Sequence, residues 1–219
     1  LQLKTLESAL QIKKAVVNAF KKGGEVKIVV GGAGTNGVEL AAELRLWADG
    51  EEKKSGNLHT AVSILEAMPT ILPGLDERVI RAAEKRLRKL GVAINVDAKI
   101  LSVAEREIML DGGKKVTYDV FVWAGGIKTP DLFFALPLQK EPRGKLLAQS
   151  GMLCLPATPN LKLYPAIYGL GDGVCFFDPK TKRPVPATAR AAISQADVVA
   201  HNVIENIKTS ESQTSNLKP

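Results

Sequence analysis

The chain has 219 residues, 45% of them hydrophobic and 24% charged, the composition and length of a soluble globular protein of one or two domains. No apolar run is long enough to cross a bilayer, and the first residues lack the charge–apolar–small pattern of a signal peptide. The net charge of +7 suggests anionic partners, but aromatic residues are scarce and no nucleic-acid reading motif is visible, so nucleic acid is not expected among them.

Thr5 is placed to cap a helix over Leu6–Lys22, with Leu6, Leu10, Val17 and Phe20 as its apolar stripe and Gly23-Gly24 as its stop. A short buried strand, Val26–Val30, then runs into GGAGTNGVELAAEL. Gly32 permits the tight turn off the strand, Gly34 lets backbone approach a pyrophosphate, and Gly37 lets the following helix pack closely. The free N–H groups of that helix's first turn and the positive end of its dipole would face the phosphates. A strand before the glycines and an Ala/Leu-rich helix after them give this G-x-G-x-x-G pattern its weight. The alternative is an ordinary strand–helix–strand unit that uses its glycines only for turning.

The polar stretch Ala48–His59 reads as a surface loop, and Thr60–Leu65 as a second buried strand ending at Glu66. A carboxylate at that point can accept both ribose hydroxyls of an adenosine and repels a 2′-phosphate. No Arg or Lys follows before Arg78 to compensate. After a Pro/Gly-rich connection, Ala67–Leu75, a helix is expected from Asp76 to Leu90 with Gly91 as its stop. Its interleaved Arg and Lys residues read as a solvated face, with attraction to an anionic membrane surface as the functional alternative.

Val92–Val96 is the third strand. Short Val/Ile/Leu runs around an Asp111-Gly112-Gly113 turn suggest an antiparallel meander inserted into a parallel α/β layout. Val120–Gly126 reads as a buried strand ending in a small-residue turn. Regular patterning then fades until Ala166–Gly173, where a strand AIYGL would carry Asp172 to its carboxyl end. Pro186–Ile207 reads as a helix whose apolar face is Ala189, Ala192, Ile193, Ala196, Val199, Ala200, Val203 and Ile207. The polar tail from Lys208 is expected to be disordered. Cys154 and Cys175 form no C-x-x-C pair and read as buried thiols of a reducing compartment. His59 and His201 have no companions that suggest catalysis, and no metal cluster is expected.

The order GGAGTNGVELAAEL, VFVWAGGIKTPDL, IYGLGDG and PATARAAISQA resembles the flavin-dependent pyridine-nucleotide oxidoreductases, and among them the type II NADH dehydrogenases (NADH:quinone oxidoreductases). The resemblance implies an α/β fold: a Rossmann-like NAD-binding domain with an inserted antiparallel meander, plus the C-terminal half of an FAD-binding domain. The expected layout is a connecting helix over 1–23, the NADH-binding domain over 24–129, the second flavin-domain part over 130–207 and the tail over 208–219. It further implies that Gly32, Ala33, Gly34, Thr35, Asn36 and Gly37 hold the NADH pyrophosphate, with Glu66 on the adenosine ribose and Glu39 near the nicotinamide. On the residues alone, Glu39 and Glu43 are also readable as surface charges, Ala124-Gly125-Gly126 as a packing turn and Asp172 as a turn former. Ala124, Gly125 and Gly126 would form the turn where the chain leaves the nicotinamide domain. Gly171 and Asp172 would meet the FAD ribitol, and Thr188 and Ala189 would open the helix that points at the flavin ring.

A complete enzyme of this kind needs an earlier glycine-rich unit for the FAD pyrophosphate, so the chain is expected to be a portion of an oxidoreductase that does not retain FAD by itself. On the last helix the resemblance leads to glutamines beside a quinone, but here Arg190, Ser194 and Gln195 stand in that region, which suggests an altered acceptor site. The implied cofactors are FAD and NADH, and the implied partners are NADH and a quinone or other electron acceptor. A peripheral contact with the cytoplasmic membrane face and a homodimer are compatible with the resemblance. Competing readings are a sulfide:quinone reductase-like flavoprotein, for which Cys175 is the candidate thiol, and a non-catalytic NAD(H)-sensing module.

Overall fold

A computed structural model describes residues 1–126, 129–158 and 167–214, divided into two compact units, Leu1–Gly126 and Ile127–Pro219. In the first unit, α1 (Leu6–Lys22) begins with a reciprocal capping box. The Thr5 hydroxyl accepts the Ser8 N–H at 3.1 Å, and the Ser8 hydroxyl accepts the Thr5 N–H at 2.9 Å. Gly23, at φ +65°, ends the helix. The buried face is Ile12, Val16, Ala19 and Phe20. Leu6 and Leu10 are exposed, which corrects the expected stripe: they lie roughly a third of a turn away from the buried line.

A four-stranded parallel sheet forms the centre of this unit, in the order β3 (Ala93–Asn95), β2 (Leu58–Leu65), β1 (Gly24–Gly31), β7 (Val120–Trp123). Alternation in β1 sends Ile28 and Val30 into a core shared with α1 and the long helix α2 (Thr35–Ser55), and Val29 to the opposite face. There Val29, Leu65 and Phe121 pack against Ile108 and Leu110. These two come from an antiparallel three-stranded meander, β4 (Ile100–Ala104), β5 (Glu107–Leu110) and β6 (Lys115–Thr117), which interrupts the parallel layout between β3 and β7. Burial on both faces explains why β1 and β2 read as continuous apolar runs. Between β2 and β3 runs α3 (Glu77–Lys89), capped by the Asp76 carboxylate on the Arg78 N–H.

The expected loop over Ala48–His59 is instead the last third of α2, followed by a two-residue link to β2. Arg45, buried, bonds Asp49 and Glu52 one and two turns on, and its guanidinium also donates to the Thr60 carbonyl of β2. The charges that made the stretch look loop-like are helix-spaced pairs, and Gly56 at φ +70° provides the stop.

In the second unit, α4 (Asp131–Ala135) precedes a parallel pair, β8 (Leu146–Ala148) and β9 (Val174–Phe176). Leu138, Leu146, Ala148, Met152, Cys154 and Val174 form its buried cluster. The expected strand AIYGL does not form over residues 167–170, where Tyr168 makes only a single bridge to Leu153, and Ala166 lies outside the described residues. The strand comes after Asp172 instead, as β9. The last helix, α5, spans Ala189–Thr214, starting three residues later than expected and running past Lys208 into the expected tail. Its expected apolar face is largely open: Ala192, Ala196 and Val199 are half-buried, whereas Ile193, Val203 and Ile207 are exposed. Polar side chains anchor it instead, with the Asn202 amide donating to the Gly151 carbonyl at 2.9 Å and the Asn206 amide to the Tyr168 hydroxyl.

Candidate functional site

The carboxyl ends of β1, β2 and β7 converge on the glycine-rich turn. Gly32 sits at φ +101°, and a Cβ there would come within 2.5 Å of the Gly125 Cα, so the turns leaving β1 and β7 touch backbone to backbone. A Cβ on Gly37 would lie 1.9 Å from the Gly32 carbonyl oxygen, which fixes how closely α2 approaches the turn. Gly34 is different. It is exposed, and a Cβ added there would meet nothing within 4 Å. Of the three fingerprint glycines, two are required by protein packing and the third faces open space.

Gly34 is also the residue preceding α2, which has no side-chain cap and no acidic residue in its first turn. The N–H groups of its first turn meet no side-chain cap, and Thr35 and Asn36 are exposed beside them. A pyrophosphate fits that space and donor set.

Glu66, at the end of β2, is buried. Its carboxylate accepts the Ala33 N–H at 2.6 Å and the Met68 N–H at 2.9 Å. An ionised carboxylate has about four lone-pair positions, so two acceptor positions remain for hydroxyls. Two further bonds fix the turn: Gly32 N–H to the Leu65 carbonyl at 2.8 Å, and Leu72 N–H to the Ala33 carbonyl at 2.7 Å. The role of the 67–75 connection in closing the turn, through Leu72 at φ +48° and the fully buried Ile71, had no signal in the sequence beyond its apolar residues. Ala124 is tied to β1 by its N–H on the Gly31 carbonyl at 2.8 Å, with Gly125 half-buried and Gly126 exposed. Glu39 is exposed in the second turn of α2, with no hydrogen bond or ion pair among the described residues.

In the second unit, Gly171, Asp172 and Gly173 form a tight turn with Asp172 exposed. The Thr188 hydroxyl accepts the Ala191 N–H at 3.2 Å and so caps α5, leaving Ala189 and Arg190 in its exposed first turn. Arg190 and Ser194 are exposed on one helix face. Gln195 makes a contact that its place on the helix did not disclose: its side-chain carbonyl accepts the Gly171 N–H at 2.8 Å, fixing the turn that bears Asp172. A Gln195→Ala substitution is expected to free that turn, seen as faster amide exchange at Gly171, with a stability loss of about 1 kcal/mol. Unchanged exchange at Gly171 would deny the bond this role. Burial raises the thiol pKa of both cysteines, and at Cys175 the Glu141 charge adds to it against a smaller opposing effect of Lys145.

Residues 1–196 match the family described as pyridine nucleotide-disulphide oxidoreductase. The chain belongs to this family. A curated relative, the type II NADH:quinone oxidoreductase of Staphylococcus aureus (strain NCTC 8325 / PS 47), is 27% identical over 215 residues, covering 92% of this chain and 52% of that protein. The chain thus spans about half the length of the curated relatives it matches. The fold is shared with NDH2 from Plasmodium falciparum, solved in complex with NADH (TM-score 0.62, 18% identity, 80% of this chain and 39% of that one). It is shared equally with a water-forming NADH oxidase from Lactobacillus brevis bound to NADH (TM-score 0.64, 20% identity, 93% and 41%). Family membership agrees with the α/β fold: a Rossmann-like unit carrying an antiparallel meander.

Proposed function

We propose that this chain is the NADH-binding portion of an FAD-dependent NADH dehydrogenase that delivers electrons to a quinone or another acceptor. The observation that carries this reading is the contrast at the glycine turn. Gly32 and Gly37 are demanded by protein contacts, whereas Gly34 opens onto space beside an uncapped helix. On this reading Gly32–Gly37 receive the pyrophosphate through backbone N–H groups, and Glu66 orients the adenosine ribose with its two remaining acceptor positions. The Ala124–Gly126 turn, free of bulky side chains, leaves room for backbone to pack against the nicotinamide end.

Asp172 offers an exposed carboxylate to a ribitol hydroxyl, and the first turn of α5 offers N–H groups to the flavin ring. Bound FAD would supply the hydride-accepting and electron-passing chemistry, and Asp172 and the first turn of α5 would hold and orient it without supplying an acid–base pair. The relatives named NADH:quinone oxidoreductase favour a quinone as the acceptor. Peripheral membrane association and a homodimer remain compatible with the reading; among the described residues no helix is long and apolar enough to cross a membrane. The intact glycine fingerprint favours NADH over the sulfide:quinone reductase-like reading, for which Cys175 is the candidate thiol.

The test is nucleotide preference. Glu66 accepts ribose hydroxyls and repels a 2′-phosphate, so calorimetric titration is expected to give at least about tenfold tighter binding of NADH than of NADPH. Glu66→Gln should narrow that ratio. Equal affinities in the unsubstituted chain would overturn the assignment.

A further inference from the structure

A cavity lies at the opposite end of the sheet from the glycine turn. It is bounded by the last turns of α1 (Val17, Phe20, Lys21), the last turns of α2 (Trp47, Glu51, Lys54, Ser55) and the first residue of β2, Leu58. An eight-residue strand separates the two ends, so this cavity is roughly 20 Å or more from the turn. Its volume is about 300 Å³, which matches the lower range of small-molecule sites.

The lining is asymmetric. Leu58 and Phe20 are buried and form an apolar floor. Trp47 stands edge-on to Phe20, with ring centroids 5.4 Å apart and planes at 76°, which fixes the indole in place. Its indole N–H has no hydrogen-bond partner among the described residues. The rim is polar: Lys54 is paired with Glu51 at 2.8 Å, whereas Lys21 forms no ion pair among the described residues. Lys22 and Lys53, in the same last turns, add to the positive field.

We propose that this cavity binds a small anionic amphiphile, its apolar body against Phe20, Trp47 and Leu58 and its single negative charge at Lys21. The cations complement the negative ends of two helix dipoles that converge here, and that role accounts for lysines in the last turns. It does not account for an apolar cavity that Lys21, without an ion pair among the described residues, lines together with Phe20, Trp47 and Leu58. The proposal is independent of the nucleotide reading, since it uses no residue of the glycine turn.

The chain holds two tryptophans, Trp47 and Trp123, so its indole N–H resonances report separately on the cavity and on the end of β7. Titration with 2-naphthoate is expected to shift the Trp47 resonance saturably and leave that of Trp123 in place. The neutral isostere 2-naphthylmethanol should bind at least about tenfold more weakly. Lys21→Glu should lose a similar factor for naphthoate and gain affinity for 2-naphthylmethylammonium, with an unchanged Trp123 indole resonance as the check on folding. Val17→Phe, which fills the cavity, should abolish the shift. The proposal is overturned by no Trp47 shift at millimolar naphthoate, by equal shifts at both tryptophans, or by equal binding of the anion and its neutral isostere.

Discussion

Gly37→Ala is expected to destabilise the nucleotide unit and to abolish NADH binding, while Gly34→Ala weakens binding and leaves stability in place. The added Cβ at Gly37 would stand 1.9 Å from the Gly32 carbonyl oxygen and 3.0 Å from its carbon. Both atoms are backbone, and that backbone is held by the bond from Gly32 N–H to Leu65 and by its contact with Gly125. Relief requires α2 to move off the turn, at a cost of about 3 kcal/mol, or a melting temperature lower by about 10 °C for a chain of this size. At Gly34 the backbone angles, φ −67° and ψ −178°, suit alanine, and the new methyl meets no protein atom. Stability should stay within about 0.5 kcal/mol. The methyl would occupy the space assigned to the pyrophosphate, so NADH affinity should fall roughly 100-fold, or about 2.7 kcal/mol. Thermal scans paired with calorimetry separate the two variants. If Gly34→Ala binds NADH normally, the phosphate position is wrong.

Arg45→Met should be the most damaging change remote from the turn. The guanidinium reaches Asp49 at 2.6 Å and Glu52 at 2.8 Å and donates to the Thr60 carbonyl, and its side chain is 7% exposed. Glu52 in turn accepts the Thr60 N–H at 2.6 Å, so the network fastens the second half of α2 to the start of β2. Removing one member of a buried ionic network costs about 3–5 kcal/mol. Asp49 and Glu52 reach solvent and can rehydrate, which places the expected loss near 3 kcal/mol in urea unfolding at neutral pH. The pH dependence has a definite sign. Burial pushes the Glu52 pKa up, but the Arg45 guanidinium and the Thr60 N–H outweigh it and hold the carboxyl below the ordinary glutamate value. Its contribution is therefore complete above the unfolded-state pKa and disappears as pH falls through the lower folded value. The difference between Arg45→Met and the unsubstituted chain should shrink steadily on acidification. A difference independent of pH would mean that lost packing, not the ion network, carries the effect.

The β–α–β core was legible because its signals are local: apolar runs buried on both faces, glycines at fixed spacing, Thr5 as a cap, and Gly23 and Gly91 as stops. The meander was legible from its short runs and turn for the same reason. Misreadings arose where polarity and structure part company. Ala48–Ser55 looks like a loop because Glu and Lys dominate it, yet those charges pair along a helix and close on Arg45. The stripe on α5 was read as one apolar face, but apolar spacing does not report what covers a face, and Ile193 and Ile207 are exposed. Some contacts had no signal at all: the bond from the Gly171 N–H to the Gln195 side chain, twenty-four positions on, leaves no periodic trace. The same holds for Glu66: its position marked it as a nucleotide acid, and nothing local disclosed its grip on Ala33 and Met68.

That grip constrains how the specificity of such a unit can be altered. One carboxylate both holds the turn and, on the proposed reading, selects the ribose. Replacing Glu66 by a basic residue to admit a 2′-phosphate would place a cation where two backbone N–H donors need an acceptor. A redesign toward NADPH must therefore supply two things at once: a cation further along the 67–75 connection and a new acceptor for the Ala33 amide. A single substitution cannot provide both, so cofactor choice here resists stepwise change.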